Sequence, residues 1–223
     1  MNTTLTRNWT SVLFDLDGTI LDSAPGIVQS LVDTFTHIGL PIPSQDELIH
    51  YVGPPLLDSL RNRAGLSEED AQKTLQIYRT DYRKDGAFDS AVFPGIVGVL
   101  ESLTAANIPL AIATSKPEAQ AMRILDHFNL SRFFTVVAGA TEDETRATKA
   151  DIVGHALAEL AEAGHDTSLS VMVGDRIYDV EGAAAYDVPS IIVEWGYGSP
   201  AEAKGAMATV YSTDRLRELL LGG

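Results

Sequence analysis

Two carboxylates lie two positions apart, directly after an apolar run of strand length. Asp15 and Asp17, in Asp-Leu-Asp-Gly-Thr at 15–19, follow the run Ser11–Phe14. Because side chains of a strand alternate with period 2, both carboxylates point the same way. Gly18 then permits a sharp turn that brings backbone N–H groups close to whatever the carboxylates face. This arrangement suits a metal and phosphate centre in which one carboxylate attacks and the other shuttles a proton.

The same five residues also fit a strand that leaves the core through a polar turn, since Asp, Gly and Thr are common turn residues. Polar groups after other apolar runs bear on this choice. Thr114 and Ser115 come after the predicted strand Leu110–Ala113, and Asp175 comes closely after Val171–Val173. Ligands of open parallel sheets bind outside the carboxyl ends of the strands, so we expect these groups to converge on one crevice.

Two further acidic residues strengthen the hypothesis of a metal site. Asp175 and Asp179 are spaced i, i+4 at the start of a predicted helix, so they share one face, although capping of that helix explains them as well. Together with Asp15 and Asp17 they form an oxygen-rich set of the kind that Mg²⁺ prefers. Lys149, if it lies in this crevice and not on the solvated surface, neutralises the nucleophile and the transferring phosphoryl group.

Two different patterns organise the chain around these residues. Residues 22–90 show apolar positions at helical spacing and no strand signal. After Phe93-Pro94-Gly95, short apolar runs alternate with amphipathic helices, which is typical of βαβ units on a parallel sheet covered on both faces. The other strands predicted for this sheet are Ser11–Phe14, Thr135–Ala138, Ser190–Val193 and Thr209–Tyr211.

These patterns predict an α/β fold with an insertion. The core is a Rossmann-like, doubly wound parallel sheet formed by residues 1–21 and 91–223, and residues 22–90 form an inserted all-helical cap domain. The predicted helices include Gln45–Val52, Pro55–Ala64, Ser67–Arg83, Pro117–Phe128 and Pro200–Gly205. The cap should then lie over the carboxyl ends of the strands.

The composition excludes several classes of partner. The chain has 223 residues, no cysteine and a net charge of −15, so it can form neither disulfides nor thiolate metal sites. The acidic balance argues against nucleic-acid binding through a basic surface. No apolar run approaches the roughly 18 residues of a membrane span, and the first ten residues lack the apolar region of a secretory signal. We therefore expect a cytoplasmic protein without a membrane partner, either a monomer or a homodimer.

Four short segments resemble, in order, the four motifs of the haloacid dehalogenase superfamily. They are Asp-Leu-Asp-Gly-Thr at 15–19, Ala-Thr-Ser-Lys at 113–116, Thr-Lys at 148–149 and Gly-Asp-Arg-Ile-Tyr-Asp at 174–179. The stretches at 52–60 and 194–199 also look like the branch with phosphoglycolate phosphatases and bacterial 5′-nucleotidases, which carries a helical cap. The resemblance covers essentially the whole chain. In many relatives a proline comes after the motif lysine, whereas Ala150 occupies that position here.

This resemblance implies a Mg²⁺-dependent phosphatase that hydrolyses a small soluble phosphate monoester, with phosphoglycolate or a nucleoside 5′-monophosphate favoured. Asp15 would be the nucleophile that forms an aspartyl-phosphate, and Asp17 the general acid and then the general base. Mg²⁺ would be held by the Asp15 carboxylate, the Asp17 backbone carbonyl and Asp175. Asp179 would hold a water ligand or the Lys149 ammonium. The implied phosphate-binding residues are Gly18, Thr114, Ser115 and Lys149.

Specificity and two alternative functions stay open at this point. Arg61, Arg146 and Arg176 are candidates for binding a second anionic group of the substrate. The alternative for each is an arginine that does not contact the substrate. The acid at Asp17 favours phosphoester cleavage over dehalogenation within the superfamily. A sugar phosphomutase would share the four motifs and the cap, and a non-catalytic binding or regulatory protein would share the scaffold.

Overall fold

A parallel six-stranded sheet forms the centre of the protein. The computed structural model describes residues 9–84 and 86–222. In chain order the strands of this part are β1 (Ser11–Phe14), β2 (Leu21–Asp22), β3 (Ala91–Val92), β4 (Leu110–Pro117), β5 (Val136–Ala140), β6 (Ser170–Gly174), β7 (Ser190–Val193) and β8 (Ala208–Val210). Six of them form the sheet in the order β5-β4-β1-β6-β7-β8, and every neighbouring pair is parallel. The predicted α/β class with a doubly wound parallel sheet is confirmed.

Nine helices lie in the described part of the chain. They are α1 (Ala24–His37), α2 (Gln45–Leu48), α3 (Leu56–Asn62), α4 (Glu68–Tyr82), α5 (Ile96–Ala105), α6 (Glu118–His127), α7 (Lys149–Glu162), α8 (Ile177–Ala184) and α9 (Thr213–Leu221). Of these, α5 to α8 connect successive strands of the large sheet in the βαβ manner. Short 3-10 turns lie at Ile49–Tyr51, Gly86–Phe88, Ser131–Phe133 and Pro200–Ala203. The helix predicted at 45–52 thus ends early in a 3-10 turn, and the one predicted at 200–205 is instead a 3-10 turn that covers Pro200–Ala203.

Alternation along β1 places apolar side chains on both faces of the sheet. Val12 and Phe14 pack in the core cluster that includes α5 and α9. Leu13 points to the opposite face, in the cluster that includes α7 and α8. All three side chains are fully buried, as expected for a strand in the middle of a sheet covered on both sides.

The inserted segment starts and ends at a short ribbon that the sequence pattern did not reveal. β2 and β3 pair in antiparallel fashion, with Leu21 opposite Val92 and Asp22 opposite Ala91. Two residues per strand are too few to leave an alternating pattern. α1 to α4 lie between these strands, and we refer to residues 22–90 as the cap. Its boundaries as a domain stay a prediction, and residues 1–8, 85 and 223 of the predicted domains lie outside the described residues.

The strand register brings the motif segments together. Phe14 at the end of β1 pairs with Ile112 of β4 and with Val173 of β6, so the loops after these strands lie side by side. β4 runs further than predicted, to Pro117, with an irregularity between Thr114 and Pro117. Lys116 lies in this irregular stretch, and its Nζ donates to the Tyr82 hydroxyl of α4.

Candidate active site

The site begins where β1 and β6 end side by side. Asp15, Asp175 and Asp179 each offer one carboxylate oxygen, and these three atoms all lie within 4.8 Å of one another. All three residues are at most 2% exposed. Buried carboxylates at this distance repel one another strongly, because little water is present to screen them. The cluster therefore requires positive charge.

Lys149 supplies part of that charge. Its Nζ lies 2.9 Å from Asp15 Oδ1 and 2.8 Å from Asp179 Oδ1, and it donates a hydrogen bond to the Ala113 carbonyl at 3.0 Å. Lys149 is the first residue of α7, and the Thr148 hydroxyl caps that helix by accepting from the Asp151 N–H. The helix start thus fixes the direction in which the lysine extends. One ammonium against three carboxylates leaves the described cluster negative.

The pKa values of the cluster reflect this imbalance. Burial raises the pKa of Asp15 from 3.8 to about 7; Lys149 opposes this shift, while the neighbouring carboxylates add to it. Burial, followed by Asp179 and Asp15, raises the pKa of Asp175 well above its ordinary value. Burial by itself lowers the pKa of Lys149, but the two carboxylates outweigh that effect and the net pKa is raised, so the lysine stays protonated.

The hydrogen bonds of the cluster distinguish a metal ligand from a supporting residue. Asp179 Oδ2 accepts from the backbone N–H groups of Asp175 and Arg176 at 3.1 and 3.0 Å, while its Oδ1 faces Lys149. Asp175 uses Oδ2 to accept from the Tyr197 N–H at 2.7 Å, and its buried Oδ1 has no hydrogen-bond partner among the described residues. The donor set fits a hard divalent cation, and the unpaired Asp175 oxygen together with Asp15 could hold it, while both Asp179 oxygens already face donors of the chain.

Glycine at position 18 is required for space. Gly18 has φ +81°, and a Cβ placed on it would lie 2.3 Å from Asp175 Oδ2. Its N–H donates to the Leu21 carbonyl at 2.8 Å. The structure thus assigns the Gly18 N–H to the turn, and the residue's clear role is to let the 15–19 loop approach Asp175.

A cavity lies between the cap and the carboxyl ends of the strands, and Asp17, two residues after Asp15, is part of its wall. On the core side it is lined by Asp17, Ser115 and Lys116, and on the cap side by Tyr78 and Tyr82 of α4, among others. The buried Ser115 hydroxyl has no hydrogen-bond partner in the described structure, so it is free to bind a substrate oxygen. Thr114, also predicted to bind phosphate, is buried beside it and accepts from the Lys116 N–H at 3.3 Å.

The three arginines proposed for specificity have partners within the chain. Arg61 lies on α3, 3.0 Å from Asp58 and 2.6 Å from Glu68. Arg146 pairs with Glu118. Arg176 is buried, pairs with Glu202 and donates to a backbone carbonyl of the cap. None of the three is among the described residues that line the cavity, and their role in specificity stays a prediction.

Sequence reasoning did not assign a role to two residues of the cavity. Lys116 is part of the segment Ala-Thr-Ser-Lys, in which Thr114 and Ser115 are the predicted phosphate-binding residues. Its Nζ lies 3.2 Å from Asp17 Oδ2 and donates to the Tyr82 hydroxyl at 2.8 Å. Tyr82 left no signal beyond an i, i+4 spacing from Tyr78, which is equally typical of an ordinary apolar helix face.

Comparison with known families agrees with this geometry. A family model described as haloacid dehalogenase-like hydrolase matches residues 12–193, a span that contains all four motif segments. The chain belongs to this family. The resemblance seen in the sequence is therefore confirmed, and with it the assignment as an enzyme of the phosphatase type that acts on phosphorylated substrates.

Three haloacid dehalogenase-like relatives illustrate the similarity. The tyrosine-protein kinase PtkA of Mycobacterium tuberculosis is 44% identical over 94% of this chain and 72% of its own length. Its solved structure superposes with a TM-score of 0.80 over 96% of this chain and 99% of that one, at 42% identity. A 5′-nucleotidase of Pseudomonas aeruginosa is 36% identical over 94% of this chain and 95% of its own. A phosphoglycolate phosphatase of Caulobacter vibrioides is 36% identical over 95% and 91%.

In the described part of this family member, each helix is too short or too polar to cross a lipid bilayer.

Proposed function

We propose that this haloacid dehalogenase-like hydrolase is a Mg²⁺-dependent phosphatase that cleaves a small phosphate monoester through an aspartyl-phosphate on Asp15. Phosphoglycolate and nucleoside 5′-monophosphates are the favoured substrates. The observation that carries the proposal is the arrangement around Asp15. This buried carboxylate faces the Lys149 ammonium at 2.9 Å and shares a cluster with Asp175, which keeps one oxygen unpaired among the described residues.

In the first step, Asp15 attacks the phosphorus atom and the bond between phosphorus and the leaving oxygen breaks. Asp17 donates its proton to that oxygen, so the substrate's alcohol departs neutral. Two observations support this role: Asp17 lines the cavity beneath the cap, and its Oδ1 is buried without a hydrogen-bond partner in the described chain. The phosphoryl group is then covalently attached to Asp15.

In the second step, a water molecule attacks the phosphorus atom of the aspartyl-phosphate. Asp17, now a carboxylate, accepts a proton from that water, and the bond between phosphorus and the Asp15 oxygen breaks. Inorganic phosphate leaves and Asp15 is again a carboxylate. Asp17 needs no side-chain rearrangement between the steps, because the leaving oxygen and the water occupy the same side of the phosphorus atom.

Stabilisation of the phosphoryl oxygens comes from fixed charges and hydroxyls. Lys149, Ser115 and Thr114 would bind these oxygens, and the unpaired Ser115 hydroxyl supports this role. Asp15, the Asp17 backbone carbonyl and Asp175 would hold Mg²⁺, which when bound supplies positive charge to the phosphoryl group. The negative cluster around Asp15 supports this assignment, since a divalent cation balances the charge that Lys149 leaves uncompensated.

The test is phosphate release from a panel of esters, with Mg²⁺ or with EDTA. The panel contains phosphoglycolate, several nucleoside 5′-monophosphates, sugar phosphates and p-nitrophenyl phosphate. We expect release that needs Mg²⁺ and disappears in Asp15→Asn, and the preferred ester identifies the substrate class. Release that is unaffected by EDTA or by Asp15→Asn would contradict the proposal.

Two product analyses separate the alternatives. Detection of a bisphosphate intermediate and an isomerised sugar phosphate, without net phosphate release, would show that the protein is a phosphomutase and not a phosphatase. Because PtkA is named a tyrosine-protein kinase, the panel includes ATP with a tyrosine peptide, and phosphate transfer to the peptide would replace hydrolysis by kinase activity. Cytoplasmic location and oligomeric state, monomer or homodimer, stay predictions that fractionation and gel filtration check.

A further inference from the structure

A cap residue reaches the catalytic loop through a lysine. The Lys116 Nζ lies between the Asp17 carboxylate at 3.2 Å and the Tyr82 hydroxyl at 2.8 Å, and it also stands 4.5 Å from the centre of the Tyr82 ring. The three residues are buried, with exposures of 8% for Lys116, 6% for Asp17 and 4% for Tyr82. A buried ammonium needs partners of this kind, so both contacts hold the lysine in one place.

The backbone of Lys116 is fixed as well. Its N–H donates to the Thr114 hydroxyl at 3.3 Å. A Cβ placed on Gly139 would lie 2.6 Å from the Lys116 carbonyl, which shows how closely the β5 backbone packs against it. On the cap side, the Tyr82 ring stacks on that of Tyr78, with centroids 5.4 Å apart and an angle of 10° between planes. Both ends of the contact are thus rigidly supported.

The contact leaves one oxygen of Asp17 for chemistry. Oδ2 is taken by Lys116, whereas Oδ1 is buried without a hydrogen-bond partner in the described chain and belongs to a residue that lines the cavity. Burial raises the pKa of Tyr82 well above its ordinary value, so its hydroxyl stays neutral and accepts from the lysine. The direction of Asp17 Oδ1 therefore depends on where Lys116 stands, and Lys116 depends on Tyr82.

We infer that Lys116 and Tyr82 are positioning residues that orient the Asp17 carboxyl towards the leaving oxygen of the substrate. Because Tyr82 belongs to the cap, this orientation depends on the position of the cap. The inference rests on the proposed phosphatase function, in which Asp17 protonates that oxygen. Proton transfer requires hydrogen-bond reach, and a displacement of about 1 Å is enough to cost a large factor in rate. When α4 is in place over the sheet, Asp17 is held; without the Tyr82 hydroxyl, the lysine loses a partner and Asp17 loses its fixed rotamer.

The test compares esters that differ in their need for an acid. In Tyr82→Phe the ring and its stacking are kept and the hydroxyl is lost. We expect kcat/KM to fall about tenfold for the alkyl phosphate that the enzyme hydrolyses best, and less than about threefold for p-nitrophenyl phosphate, whose leaving group departs without a proton. Lys116→Met should show the same difference with a larger loss, about a hundredfold, on the alkyl ester. The ratio kcat/KM is used because it reports the steps up to phosphoenzyme formation, before the attack of water.

Tyr78→Phe is the matched control. It removes a hydroxyl from the same helix and the same cavity wall, and the described structure shows no hydrogen bond from that hydroxyl to Lys116. Any loss it causes should be equal for the two esters. In an Asp17→Asn background, adding Tyr82→Phe should cause no further difference between the esters, because the residue being positioned no longer carries the proton.

Equal losses on both esters in Tyr82→Phe and Lys116→Met would overturn the inference, since they would show direct substrate binding or general structural support. Thermal unfolding of each variant checks that it is folded. Should Lys116→Met not fold, Tyr82→Phe decides, because it keeps the charge and the packing. Absence of turnover of every ester by the unmodified protein would overturn the proposed function and this inference with it, whereas turnover with equal losses overturns the inference alone.

Discussion

Replacing Asp15 with asparagine should abolish turnover and yet, without added metal, stabilise the folded protein above neutral pH. The substitution keeps the shape of the side chain and removes its charge and nucleophilicity. Asp15 lies with Asp175 and Asp179 in a buried cluster whose carboxylate oxygens are within 4.8 Å of one another, and Lys149 compensates only part of their charge. Removing this negative charge therefore relieves first the cost of burying it and then its repulsion by the neighbouring carboxylates.

The magnitude can be worked from the pKa of Asp15, which rises from 3.8 to about 7 in the folded protein, mainly through burial. A raised pKa means that the folded state binds the proton more tightly than the unfolded state does. The contribution of Asp15 to stability is thus intact below pH 3.8 and is lost as the pH rises through about 7. A shift of roughly three pKa units corresponds to about 1.4 kcal/mol per unit. Asp15→Asn should therefore raise the free energy of unfolding by at most about 4 kcal/mol above pH 8, and by less than about 1 kcal/mol at pH 4.

The assay is thermal unfolding of both proteins in EDTA between pH 4 and pH 8.5. One kcal/mol moves the Tm of a chain of this size by about 2–4 °C, so we expect Asp15→Asn to unfold at most about 8–16 °C higher at pH 8 and near the unmodified protein at pH 4. Added Mg²⁺ should raise the Tm of the unmodified protein more than that of the variant, because it binds the intact cluster more tightly.

An exposed aspartate provides the control for net charge. Asp126 lies on the exposed face of α6, and Asp126→Asn removes the same formal charge from solvent. Its effect should stay within about 0.5 kcal/mol at every pH. If Asp15→Asn unfolds at a lower temperature than the unmodified protein at pH 8 in EDTA, or if the difference does not grow with pH, then burial of the charged Asp15 carboxylate does not destabilise the fold as argued.

Three further variants test other parts of the structure. Gly18→Ala should weaken Mg²⁺ binding, measured by calorimetric titration, and destabilise the fold by more than about 1 kcal/mol, because the new Cβ would lie 2.3 Å from Asp175 Oδ2 at φ +81°; unchanged binding would contradict this geometry. Arg61→Ala should change kcat/KM less than about twofold, since Arg61 already pairs with carboxylates away from the cavity. Arg79→Ala should lower the free energy of urea unfolding by about 2 kcal/mol, because it leaves the Glu144 carboxylate without its buried partner; an unchanged midpoint would show that this contact is dispensable.

The α/β class and the meeting point of the motif segments could be predicted from the sequence because both depend on short-range rules. Period-2 and helical spacing distinguish strands from helices within about ten residues. In an open parallel sheet, the loop after one strand lies beside the loop after the neighbouring strand. Asp15, Asp175 and Lys149 therefore come together once the strand order places β1 between β4 and β6. Their chemical roles stay a proposal until the variants above are measured.

Only the tertiary structure decided which partner each long cationic side chain takes. Arg61, Arg146 and Arg176 each have a carboxylate partner that no local pattern identifies, and Lys116 meets a tyrosine 34 positions earlier in the chain. Periodicity gives the face of a helix, but the contacts of a flexible cation depend on how distant elements pack and on which carboxylates are buried beside it. For the same reason the two-residue ribbon that joins the cap to the core, and the contacts that link Asp17 through Lys116 to α4, became visible only in the folded protein.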